Sequence, residues 1–222
     1  MTVTRLTKEF FEGHTTDVAQ SLLGVMLARR IGRHTLRAII VEVEAYLAAD
    51  DAASHSAIGP GRRNASMFAS PGSLYVYSIH ARHCMNVVTE QRGAGAAVLI
   101  RAVEPWQGVE QMWGARSMQP MMQPTITQRR RLTQGPGRLC EALSVDRALD
   151  GTDLCSSSEV WLEEPPHTVR GIPICVTASP RIGISKATQL PLRWFLDGNH
   201  FVSGLARDHK AGRTWCYRDL IH

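Results

Sequence analysis

Glu42, Glu44 and Tyr46 stand two residues apart at the end of an apolar run, IIVEVEAY, and His55 follows nine residues later. Side chains two apart on a strand project to one side, spaced by about 6.5 Å. Both acids and the tyrosine therefore project to the same side, which lets Glu44 and Tyr46 line one cavity. A carboxylate in such a cavity can orient and deprotonate a water molecule. One of the two acids is expected to do this, and Glu44 is expected to meet solvent next to a slot. Glu42, nearer the core end, is expected to be a buried acid held by an arginine or by backbone N–H groups. Tyr75 and Tyr77 in SLYVYSI repeat the two-residue spacing, and Arg101 interrupts the apolar AAVLIRAVEP. An arginine there must be paired or must line a cavity.

Several elements have to position these groups. Strict alternation over residues 36–46 puts Leu36, Ala38, Ile40, Glu42, Glu44 and Tyr46 on one face, and Ile39, Val41, Val43 and Ala45 on the other. TTDVAQSLLG predicts a helix capped by Thr15 or Thr16, and VMLARR a strand. HSAIGPGRRN is a Gly/Pro loop carrying Arg62 and Arg63. Pro105 suits the start of a helix through Val109, Met112, Trp113 and Arg116. MQPMMQPTITQRRR reads as a loop, and GPGRLCEALSV as a turn feeding a helix from about Arg138. SSEVWLEE, PICVTASPRIGI and PLRWFLDG add short strands. Strands and helices do not alternate regularly, which argues against a doubly wound parallel sheet. One mixed α/β (α+β) domain on antiparallel sheet is the expected fold.

Composition narrows the function. The 222 residues are 44% hydrophobic, enough for one core, and carry a formal charge of +5, which suits a polyanionic partner. The five cysteines contain no C-x-x-C pair, and no histidines form H-x-x-x-H or H-E-x-x-H. This spacing argues against a disulfide framework and a zinc site, and it fits a reducing, intracellular compartment. The N-terminus has no apolar stretch of signal or membrane type.

With these residues in place, the chain resembles the alkyladenine (3-methylpurine) DNA glycosylase family. The resemblance rests on SLLGVMLAR, IIVEVEAY, DDAASHS, RRNASMF, PGSLYVY, CMNVV, AVLIRAVEP, GPGRLCEAL, GTDL, RIGI and PLRWFLDG, in that order. It covers roughly residues 10–203. It implies a single domain (1–204) with a curved antiparallel sheet surrounded by helices, followed by a basic tail (205–222) without an assigned role. It also implies a monofunctional hydrolase that flips alkylated or deaminated purines from duplex DNA and cuts the N-glycosidic bond, starting base excision repair as a monomer. No metal, organic cofactor or membrane is implied. The expected compartment is the cytoplasm, at the nucleoid in a bacterium, or the nucleus in a eukaryote.

Residue by residue, the family's water-activating glutamate falls on Glu44 and its stacking groups on Tyr46, His55 and Tyr77. Its asparagine against 2-amino purines falls on Asn86, and its basic contact near the lesion on Arg101. Arg62 and Arg63 are expected at phosphates. The family's wedging tyrosine and the glycine after it fall on His80 and Ala81, with Arg82 and His83 beside them. An imidazole is smaller and more polar than a phenol and should fill a vacated stack less well. Lys8, Lys186 and Lys210 are the only lysines, and none lies among these motifs, which disfavours an amine nucleophile and lyase chemistry. Two rival readings are a non-catalytic nucleic-acid binder on the same scaffold and a hydrolase of a small N-glycoside.

Overall fold

The computed structural model describes residues 4–119, 124–165, 174–209 and 212–217. Its strands are β1 (Met26–Ile31), β2 (His34–Tyr46), β3 (Leu74–Ile79), β4 (Arg82–Thr89), β5 (Ala96–Gln107), β6 (Val160–Glu163), β7 (Ile174–Ser179), β8 (Arg193–Leu196) and β9 (Arg213–Tyr217). The helices are α1 (Lys8–Phe11), α2 (Thr15–Ser21), α3 (Val109–Ala115), α4 (Ile126–Thr133), α5 (Pro136–Ala142) and α6 (Ala206–His209). The strands form one sheet in the order β3-β4-β5-β2-β8-β7-β9, with β1 joining β2 to β6. Every pairing in it is antiparallel. The expected α+β single domain is what the chain forms.

Long β2 organises the sheet. Its residues Arg37 to Tyr46 border β5, while on its other edge β1 takes the first half and β8 the residues Glu42 to Glu44. Partners step from Ile40↔Val103 to Glu42↔Ala102 and then to Val43↔Ile100. Val41 is therefore an extra residue in β2, and Arg101 is one in β5. Such bulges reset the alternation of faces. Leu36, Ala38 and Ile40 belong to the main core, and so do Val43 and Ala45. Glu42, Glu44 and Tyr46 thus lie opposite the main core, which corrects the single face expected for Leu36 through Tyr46.

The main core packs that face against α2, α3, α4 and α5 through Val18, Met112, Trp113, Leu132 and Leu139. The opposite face carries two smaller clusters, one around Ile39, Val41 and Phe195, the other around Met67, Tyr75 and Val88. Three local expectations change. His14, not a threonine, caps α2 by accepting from the Thr16 N–H. Pro105 lies inside β5, and α3 starts only after Gly108, whose φ of 76° ends the strand. Ile126–Thr133 is a helix with a Thr125–Gln128 capping box, whereas residues 120–123 of the expected loop lie outside the described residues. The stretch Arg213–Tyr217 pairs with β7, and a disulfide joins the directly opposed Cys175 and Cys216. Cysteine spacing gave no hint of that bond, because cross-strand neighbours are set by register.

Candidate functional site

Glu42 and Glu44 form a buried network with two arginines. Glu42 Oε1 accepts from Arg193 Nε at 2.6 Å and Arg101 Nε at 3.1 Å, and Oε2 accepts from the Ser203 N–H at 2.7 Å. Burial alone would raise the Glu42 pKa, but Arg101 and Arg193 outweigh it and hold the carboxyl below its usual range. Glu44 Oε1 accepts from the Ile182 N–H at 2.8 Å and lies 3.1 Å from Arg101 Nη1, while Oε2 accepts from the Tyr46 hydroxyl at 2.9 Å. Burial works against the Arg101 charge, yet Glu44 and Glu42 together more than offset it and raise its pKa. The expected pairing of Glu42 with an arginine is present. The expected solvent-facing Glu44 is not: its relative exposure is 0%, because Tyr46, Ile182 and Arg101 close around it. Arg101, 7% exposed, is likewise an internal ion-pair partner, held by Glu42 and Glu44.

Tyr46 separates this network from an aromatic cleft. One face of its ring is covered by the Arg181 guanidinium, 4.7 Å from the ring centre. Arg181 is itself clamped by Asp51 at 2.6 and 2.7 Å. Burial, and then the neighbouring Glu44 carboxylate, push the Tyr46 hydroxyl pKa up, so it stays a donor. His55 opens a 3-10 turn (His55–Ile58), and its Nδ1 lies 2.8 Å from the Tyr75 hydroxyl. Its ring meets Tyr77 edge-on at 4.6 Å. This packing desolvates the imidazole and lowers its pKa below 6.5. Burial pushes the Tyr75 hydroxyl up to about 12. His55, Arg62, Arg63, Tyr75 and Tyr77 line one open cleft of about 780 Å³. Glu44, Tyr46, Asn86 and Arg101 are not on its wall.

Asn86 sits on the cleft side of β4, 3% exposed, and its amide donates to the Tyr75 carbonyl at 2.9 Å. His80 and Ala81 make the two-residue turn between β3 and β4, with φ of 45° and 61°. Non-glycine residues adopt such angles at a cost. Arg82 follows, with Nε 3.5 Å from Glu141, and His83 lies across from Ser78. The hairpin tip is thus exposed beside the cleft, apart from Glu44. Sequence reasoning missed Arg193, Arg181, Asp51 and Ser203. Arg193 carried a legible signal, an arginine within the apolar PLRWFL, the same signal that marked Arg101. The Asp51–Arg181 pair joins loops 130 residues apart and left no local trace.

An antiparallel α+β domain with an acid–arginine network behind a tyrosine, and a basic aromatic cleft before it, is the class of protein this arrangement defines. Residues 9–200 match the family model for methylpurine-DNA glycosylase, and the chain belongs to that family. A Rhodopirellula baltica protein named "Putative 3-methyladenine DNA glycosylase" is 48% identical over 94% of this chain and 87% of its own length. DNA-3-methyladenine glycosylase of Mus musculus is 42% identical over 91% of this chain and 62% of its own. The Homo sapiens protein of the same name is 39% identical over 92% and 70%.

Proposed function

We propose that this protein is a DNA glycosylase that swings an alkylated or deaminated purine out of the duplex and hydrolyses its N-glycosidic bond. The observation that carries the reading is the fixed Glu44 carboxylate directly behind Tyr46. Oε1 is occupied by the Ile182 N–H and Arg101, whereas Oε2 accepts, among the described residues, from the Tyr46 hydroxyl alone. A purine entering beside His55 and Tyr77 displaces Tyr46 and stacks on the ring face opposite Arg181. The resulting shift of Tyr46 admits water to Oε2. Glu44 then takes a proton as the water attacks the sugar from the side opposite the departing base. Stacking contributes about 1–3 kcal/mol per base and tolerates varied lesions. Asn86 screens the purine edge. Arg62, Arg63, Arg82, His80 and His83 hold the flanking backbone.

No described lysine lines the cleft, which supports hydrolysis without an amine intermediate and an abasic product without a nick. The second reading, a binder that does not cleave, draws support from the sealed Glu44 carboxyl.

Duplexes carrying hypoxanthine, ethenoadenine or a methylated purine decide between them. The parent should release base and leave an intact abasic strand. Glu44→Gln should lose at least about 100-fold in release, within the usual range for a lost general base, while still binding the duplex. Undiminished release by Glu44→Gln would remove the carboxylate from the chemistry, and no release by the parent would favour the binder.

A further inference from the structure

The mouth of the cleft presents two exposed aliphatic side chains. Ile58 is 89% exposed and Ile79 is 49% exposed, and both line the cleft that holds His55 and Tyr77. Ile58 is held outward by a built support. The buried Asn64 donates from Nδ2 to the carbonyls of His55 (2.9 Å) and Gly59 (3.0 Å), and its Oδ1 accepts from the Gly61 N–H at 2.7 Å. Gly59, with φ of 78°, turns the chain immediately after Ile58. Ile79 stands at the end of β3, just before the His80–Ala81 turn. Arg62 and Arg63 are exposed on the same wall, and no ion pair among the described residues engages either one. His80 itself is not on that wall.

An isoleucine kept in water by a stapled loop forgoes the burial that normally stabilises it. A partner that covers it must offer an apolar surface next to negative charge. A duplex with one nucleotide extruded does both: bare base faces at the gap, phosphates at its margins. Apolar side chains of this kind enter opened base steps.

Resting on the glycosylase reading above, we infer that Ile58 and Ile79 together fill the gap left by the extruded nucleotide, with Arg62 and Arg63 on the adjoining phosphates. His80, at the turn apex, is a backbone contact and not the filling group. The occupant is double-stranded DNA, because a single strand has no opposite stack to fill.

The test measures equilibrium binding by fluorescence anisotropy. The probes are a duplex with one tetrahydrofuran abasic analogue and the same modified strand alone. Ile58→Ser should weaken duplex binding about tenfold or more, as expected for uncovering one aliphatic side chain, and should change single-strand binding less than twofold. Ile79→Ser should show the same pattern more weakly, and Ile58→Leu should restore duplex affinity. Equal duplex binding by Ile58→Ser and parent would overturn the inference, as would equal losses on both probes or a larger duplex-only loss in His80→Ala. Unchanged thermal melting shows that each variant is folded. Binding to an analogue with no base needs no cleavage, so absence of base release by the parent would count against the glycosylase reading and not against this one.

Discussion

Removing the Arg193 guanidinium would leave Glu42, 0% exposed, with Arg101 as its remaining cationic partner. Stripping a partner from a buried charge typically costs about 3 kcal/mol or more. Arg193→Met should lower the stability read from denaturant unfolding by about that amount, and an unchanged midpoint would mean the network is solvated in solution. His55 carries a pH prediction. Its pKa is depressed by desolvation, so the folded state binds a proton more weakly than the unfolded chain near 6.5. Stability linked to this residue is complete above that pH and is lost as pH falls from there through the folded pKa. Melting temperatures from pH 7 to 5 should therefore fall more for the parent than for His55→Gln. At this scale the acids were legible because a charge inside an apolar run must be answered by another charge. The guanidinium on Tyr46 was not, because Arg181 reaches it from a distant loop.

Among the elements, β9 is the one held least by burial. Its described side chains are exposed or half-buried, and among the described strands it pairs with β7 alone. The Cys175–Cys216 bond, closing a separation of 41 residues, adds a covalent tether to that ladder. Links of this kind usually contribute about 2–4 kcal/mol. Cys216→Ser should speed amide exchange in β7 and β9 and leave the β2–β5 pair protected, whereas uniform loosening of the sheet would contradict a local tether. Strands were readable from apolar runs bounded by turns. The bulge at Val41 and Arg101 was not, since an extra residue leaves the composition of IIVEVEAY and LIRAV untouched. Pro105 shows the same limit: a helix-start residue also suits a strand position that gives no ladder hydrogen bond, and register decides.

For the whole molecule, the surplus of +5 charge matters through where the arginines lie. If Arg62 and Arg63 meet phosphates, the slope of log affinity against log salt should become shallower by about 1–2 in the Arg62→Ala/Arg63→Ala variant, near 0.9 for each phosphate no longer neutralised. A parallel line, displaced but equally steep, would place the phosphates elsewhere. The domain also needs its two sides to stay distinct, one greasy and helix-covered, the other reactive. That division depends on one surplus residue in each of two neighbouring strands. Adding one further residue beside Val41 that pairs in register would turn every later side chain of its strand to the other face, driving two carboxylates into the helix layer and valine and alanine out toward the cleft. The chain can therefore tolerate many changes of side chain along this ribbon, but an inserted residue at that point would turn the protein inside out.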